Sequence, residues 1–430
     1  MAVDGWYDAF YSTSQRMMAY VWAVMDASMV FCFLGSVGIF VYFLLILSHI
    51  ISIIYGKLHL HRMPSATNIV WEELPGVTIL KPLVGVDPNL KENLETFFNL
   101  NYPKYELFVC VQDEGDPAIK VVEPLIQKYP DIDAHLFIES KDTNKQSECE
   151  EGRHARIGAN PKLNNLMSGY KASKYNLILI SDSSIKTTKD TLLDMVMHMT
   201  PGVGIVHQLP FTCDRKGFSC TLEKVFFGGW HSRMYLTMCA IRTNCVTGMS
   251  NLIRKSIIDE NGGLEELSKY IAEDFYMGLI TLNSGYKQQL SSIPVYQNSG
   301  ISSLQNFRKR MIRWTQIRIS TVPAIILAEP ITESLALGIW NAWSVSYLLG
   351  WDPIVFFLAH ILIWMLLGYI QLKIVQNDRL NFSKFDFVIA WLYREIMTPY
   401  LFMKGMMKTT VTWRNQVYKL KWGGELEEVR

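Results

Sequence analysis

A chain of 430 residues is long enough for two or three domains, and 49% hydrophobic against 19% charged residues tilts it toward the apolar side. Lys+Arg 41 against Asp+Glu 40 leaves a net charge of +1, so no basic field points to nucleic acid and no acidic tail to a solvating segment. A mean hydropathy of +0.12 is high for a soluble protein and low for a transporter made of spans, which implies a polar body with a few membrane helices. Seven cysteines, an odd number with no CxxC pair, argue against a disulfide framework or a zinc site and for a reducing compartment.

In chain order, the first element is a membrane anchor. Residues 27–56 carry no formal charge, and 29–55 are mostly Val, Ile, Leu and Phe. About 20 apolar residues cross a bilayer, so the run suffices. It is too long and begins too late for a cleaved signal peptide. Lys57, His59, His61 and Arg62 follow it, whereas Asp4, Asp8, Arg16 and Asp26 precede it. The positive-inside rule then predicts a lumenal N-terminus, with the chain after Lys57 cytosolic.

The stretch 63–318 reads as an α/β domain. Strands are predicted at 76–83, 105–111, 134–138 and 176–181, with helices at 90–100, 118–128 and 162–172. Such alternation predicts a mostly parallel sheet with right-handed crossovers, whose ligand sits beyond the strands' carboxyl ends. Asp113 and Asp182 each stand where a strand run stops. Either could be a turn former, but two at successive strand ends favour a shared site. The polar stretch 139–156 is expected to be a solvated loop; its His154 and Cys149 match no metal spacing.

Residues 319–430 are predicted to form membrane-embedded and interfacial helices. Runs 334–351 and 353–372 are each expected to span, and 385–403, interrupted by Asp386, Arg394 and Glu395, to lie at the interface.

Sugar transfer from a nucleotide sugar needs a stabilised diphosphate leaving group, a held nucleotide and a base for the acceptor hydroxyl. Hard oxygen ligands would mark a Mg²⁺ or Mn²⁺ site. Asp182, followed by Ser183 and Ser184, is such a ligand, and Asp274, in an acidic pair with Glu273, is a candidate base. On a helix, Arg310, Arg313 and Trp314 share one face and suit a diphosphate cradle. The competing role for 307–318 is a basic helix on anionic lipid, with Arg308, Lys309 and Arg318 toward the membrane.

Asp113, Asp182, Asp274 and Arg310-Met311-Ile312-Arg313-Trp314, in that order, resemble the D, D, D, (Q/R)xxRW signature of inverting GT-A-fold transferases. Longer strings are similar to ceramide glucosyltransferases: Lys81-Pro82-Leu83-Val84-Gly85-Val86-Asp87-Pro88, Cys245-Val246-Thr247-Gly248-Met249-Ser250 and Tyr270-Ile271-Ala272-Glu273-Asp274. The resemblance implies transfer of glucose from UDP-glucose to ceramide with inversion at a Golgi or ER membrane, the catalytic domain facing the cytosol. It assigns Asp113 to the uridine, Asp182 to a divalent cation and the diphosphate, and Asp274 to the base. Arg310, Arg313 and Trp314 would cradle the diphosphate; Lys162, Asn164 and His231 would line the substrate site. The bilayer is a partner and a homo-oligomer is compatible with the reading. Polysaccharide synthases share the signature but usually carry Gln where Arg310 stands and need more spans. A dolichyl-phosphate sugar transferase is disfavoured by the longer strings, and a non-catalytic scaffold by the intact carboxylates.

Overall fold

The computed structural model describes residues 27–64, 70–139, 157–300, 303–413 and 416–429. From residue 140 onward the predicted polar loop lies outside them, as do the charges ahead of the first span.

Two compact units are distinguished. The larger, Ser48–Ala328 with Leu367–Arg430, is built on a seven-stranded sheet. Its strands are β1 (Val77–Leu83), β2 (Tyr105–Val111), β3 (Asp133–Ile138), β4 (Leu177–Ser181), β6 (Val203–His207), β8 (Ser250–Arg254) and β9 (Lys287–Leu290), in the order β3-β2-β1-β4-β8-β6-β9. Strands β3, β2, β1 and β4 are mutually parallel, while β8 runs antiparallel to both its neighbours. A second sheet, β5-β10-β7, is formed by β5 (Ile185–Lys186), β7 (Pro210–Thr212) and β10 (Val295–Gln297). Each predicted strand and helix between 76 and 181 is found within two residues of its expected bounds.

The sheet is covered on both faces, which is why β1 is buried at every position. The Pro161–Ala172 helix packs Leu163, Leu166 and Tyr170 against Leu80, Phe108 and Ile178 in one core. Burying each such Leu contributes about 1.5–3 kcal/mol. Gly169 permits this approach, since a Cβ there would lie 2.8 Å from Cys110 Sγ.

A third sheet was not legible in the sequence. Strands β11 (Thr410–Trp413), β12 (Gln416–Leu420) and β13 (Leu426–Glu428) pair antiparallel. Their buried residues Val411, Tyr418, Leu420 and Leu426 close on Ile271. Ile271 N–H donates to Gly424 O (3.0 Å), Leu426 N–H to Lys269 O (2.8 Å) and Gly423 N–H to Ser320 O (2.9 Å). The chain's end therefore fixes the segment leading into Glu273 and Asp274 against the Leu304–Thr321 helix. Gly423 and Gly424 adopt φ of 86° and 72°, conformations that glycine takes readily.

The Lys384–Met406 helix begins at a Ser383–Asp386 capping box. Its interrupting charges, Arg394 and Glu395, form a buried ion pair. In the smaller unit, residues 27–47 with Glu329–Leu366, Tyr42 packs its ring against Phe356, His360 and Trp364. The helices Ala27–His59 and Pro353–Gln376 are long and apolar enough to cross a membrane, and only 11% of the apolar stretch of each is buried. Phe33, Phe40, Phe43, Ile354, Val355 and Leu358 stand exposed on them, an apolar surface suited to lipid. The protein is membrane-associated. The span predicted at 334–351 falls short: the Ser334–Leu349 helix has 16 residues, ending at left-handed Gly350. It covers about 24 Å at 1.5 Å per residue.

Candidate active site

Asp182 directly follows β4. Its N–H donates to Met249 O (3.0 Å) and its carbonyl accepts from Ile185 N–H (3.2 Å), so backbone bonds fix where its carboxylate starts. Opposite it, the Pro161–Ala172 helix begins at Asn160, whose Oδ1 accepts from Lys162 N–H (2.9 Å) and Leu163 N–H (3.2 Å). The same side chain donates from Nδ2 to Tyr270 O (2.8 Å) and Glu273 Oε2 (3.1 Å). One cap thus ties the helix start to the acidic pair.

Lys162 is the centre of the cluster. Its Nζ lies 2.8 Å from Asp182 Oδ1, 2.9 Å from Glu273 Oε1 and 2.9 Å from Gly248 O. Burial alone would discharge this ammonium, but Asp182 and Glu273 outweigh burial and raise its pKa. Asp274 lies beside it: a Cβ on Gly248 would sit 3.4 Å from both Asp274 Oδ2 and Lys162 Nζ. Enclosure, reinforced by Glu273 and opposed by Lys162, pushes the Asp274 carboxyl up to about 7. Behind Asp182, the buried Lys81 donates from Nζ to the Asp182 carbonyl (2.6 Å) and Ser181 Oγ (3.3 Å), and lies 3.9 Å from the Phe97 ring centre. Burial lowers its pKa to about 7, with Asp182 opposing.

The Leu304–Thr321 helix starts at Ser303, whose Oγ accepts from Asn306 N–H (3.1 Å). Arg310 lies over Trp314 (4.5 Å to the ring centre) and Phe227 (5.4 Å), with Glu223 Oε1 3.9 Å from Nη1. Burial brings its pKa down to about 10, which still leaves it cationic at neutral pH. Burial lowers the pKa of Arg313, with the Asp182 charge opposing. Arg308 and Arg318, expected toward the membrane, are half-buried. Arg308 Nε donates to Tyr393 Oη (2.8 Å) and Arg318 lies over Trp230, while Lys309 is exposed.

His231 ends a π turn, Phe227–His231, and packs on Tyr235 and Trp314. Burial, then Arg318 and Arg310, push its pKa down to about 3, so the ring is neutral. Its Nδ1 is enclosed and has no hydrogen-bond partner among the described residues. Two predicted residues stand apart. Asp113 is exposed and its Oδ1 accepts from Gly115 N–H (3.0 Å), a turn-forming bond. Asn164 is buried and its Nδ2 donates to Gly158 O (2.9 Å), which holds the approach to the helix.

A family model described as glycosyl transferase family 21 matches residues 44–426. The chain belongs to glycosyl transferase family 21. This family 21 transferase is 36% identical over 419 residues to ceramide glucosyltransferase 3 of Caenorhabditis elegans, covering 97% of this chain and 86% of that one. It is 37% identical over 386 residues to ceramide glucosyltransferase 1 of the same organism, covering 89% and 78%. Among solved structures it is similar to mannosyltransferase PcManGT from Pyrobaculum calidifontis in complex with GDP-Man and Mn2+, at 14% identity and a TM-score of 0.47, covering 84% and 99%.

Sequence reasoning passed over two residues of the family 21 transferase's site. Lys81 looks like a strand residue in an apolar run, and Asn160 like an ordinary cap ahead of Pro161. A lysine inside a strand buried on both faces was the available signal, because such a charge needs a partner.

Proposed function

We propose that the protein transfers glucose from UDP-glucose to the primary hydroxyl of ceramide with inversion, releasing UDP and glucosylceramide. The observation that carries this reading is the gathering of Asp182, Glu273 and Asp274 around Lys162 in a family 21 chain. Asp274, with a pKa near 7, is the base that takes the ceramide proton, and a base is most useful when its pKa is close to the working pH. Lys162 keeps Asp182 and Glu273 in place without neutralising Asp274. Arg310 and Arg313 face the departing diphosphate as cations, and Trp314 packs against Arg310. Asp113 takes the uridine, and neutral His231 offers a ring nitrogen to the substrate.

The donor set fits a hard divalent cation, Mg²⁺ or Mn²⁺. The Asp182 side chain is 37% exposed and only its Oδ1 is engaged by Lys162. Asp182 would hold the ion together with diphosphate oxygens. Such an ion supplies charge neutralisation to the leaving group. Turnover is expected to fall to background in excess EDTA, to return with Mg²⁺ or Mn²⁺, and to be largely lost in Asp182→Asn. Normal turnover in EDTA would remove the cation from this scheme.

Lys57, in the last turn of the first apolar helix, and Arg62 just after it support a cytosolic catalytic unit by the positive-inside rule, and the family resemblance supports a Golgi or ER membrane. Protease added to sealed microsomes should then degrade the unit, and full protection would invert the topology. The function itself is tested by supplying membranes with a panel of UDP-sugars and ceramide and reading the lipid product by mass spectrometry. A product from UDP-glucose and ceramide is expected; transfer to a different acceptor class would overturn the reading.

A further inference from the structure

Three soft-ligand side chains from separate places in the chain meet in the catalytic unit. His207 ends β6, Cys239 lies in the last turn of the Ser232–Ala240 helix, and Cys245 stands in the loop that continues to Gly248. A ring nitrogen of His207 and the two Sγ atoms lie within 4.8 Å of one another, and no other such group occurs among the described residues. The Sγ atoms are 3.5 Å apart. A disulfide would need about 2.05 Å. Two thiolates on a tetrahedral zinc, each about 2.3 Å from the ion, stand roughly 3.8 Å apart.

The surroundings fit the same geometry. Arg242 takes the left-handed conformation (φ 59°) with its N–H donating to Cys239 O (3.1 Å), which turns the chain back so that Cys245 meets Cys239. A non-glycine residue is held there only where its surroundings over-determine it. Tyr235 Oη donates to Gln208 O (3.1 Å) and lies 2.6 Å from His207 Nδ1. It therefore accepts from Nδ1–H and leaves the lone pair on Nε2. Metal-bound histidines are oriented by hydrogen bonds of this kind. The sequence argued against a zinc site because no CxxC pair occurs; here the turn at Arg242 brings the thiols together instead.

We propose that His207, Cys239 and Cys245 bind a thiophilic d¹⁰ cation, Zn²⁺ or Cu⁺, at a site separate from the hard-cation position at Asp182. Binding forms two metal–thiolate bonds and one metal–imidazole bond, releases two thiol protons to solvent and changes no oxidation state. Three protein ligands leave a fourth position for water. Cys245 precedes by three residues Gly248, whose carbonyl accepts from Lys162, so the ion anchors the loop that backs the acid cluster.

The test uses the full chain in detergent micelles, reduced and freed of metal, titrated with Co²⁺. One equivalent should give a saturable thiolate-to-cobalt charge-transfer band with tetrahedral ligand-field bands, displaced by one equivalent of Zn²⁺. Cys239→Ser and Cys245→Ser should each weaken Zn²⁺ at least tenfold in competition with a chromophoric chelator, and Asp182→Asn should leave the band unchanged. Gel filtration and thermal unfolding identify any variant that fails to fold, and Cys239→Ala then serves as the second probe. No saturable band in reduced protein, or a band untouched by both serine variants, overturns the proposal.

Discussion

Asp274→Asn is expected to lower kcat by roughly 10²–10⁴-fold, the usual contribution of a positioned base, and to leave UDP binding nearly unchanged. Asparagine keeps the shape but cannot accept the acceptor's proton. In the unaltered protein, kcat should rise with pH as Asp274 ionises through about 7 and then level off; in the variant that limb should vanish. The same group makes a stability prediction of definite sign. Its folded-state pKa is raised, so folding favours the protonated form, and stability is lost as pH climbs from the ordinary carboxylate range to about 7. Asp274→Asn escapes that loss. Its melting temperature relative to the unaltered protein should therefore be higher at pH 8 than at pH 4. Glu273→Gln should cost kcat less, because Glu273 is committed to Lys162 and Asn160. If Asp274→Asn kept most of its kcat, or the sugar linkage in the product were α, the base would lie elsewhere.

Lys162→Met should abolish turnover and destabilise the fold together. The substitution keeps the stem and removes the ammonium, leaving Asp182 and Glu273 without their common partner. Breaking a buried pair costs about 3–5 kcal/mol; the lower end applies, because the Asp182 side chain is 37% exposed and partly screened by water. Glu273, 7% exposed, bears most of the penalty. Adding Glu273→Gln to Lys162→Met should restore much of the stability, measured by thermal unfolding in detergent, and none of the turnover. Full activity in Lys162→Met would show that the lysine is a bystander.

Much of the fold was legible in the sequence for a local reason. Apolar runs such as 105–111 and helical spacing such as Leu90, Leu94, Phe97 and Phe98 are short-range patterns, and the structure keeps them as β2 and the Leu90–Phe98 helix. The first apolar helix is visible from composition alone, since length and lack of charge decide whether it can span. The strand-end position of Asp182 and the shared helical face of Arg310 and Trp314 follow from the same local rules. The sequence pointed to Asp274 over Glu273 as the base, but the bonds of Glu273 to Lys162 and Asn160 are visible only in the structure.

Only the tertiary structure decided the partners. Lys162 stands 20 residues before Asp182 and 111 before Glu273 in the numbering, and no periodicity links such positions; sheet order and the Asn160 cap bring them within 2.9 Å. The sheet β11-β12-β13 was hidden because its strands are short, mixed in character and stabilised by Ile271 from elsewhere in the chain. The contacts of Arg308 with Tyr393 and of Arg318 with Trp230 join residues far apart in the sequence. Local sequence fixes which backbone shape each segment prefers. Charge compensation and burial depend on what lies across the fold, and those determine the working pKa values of this site.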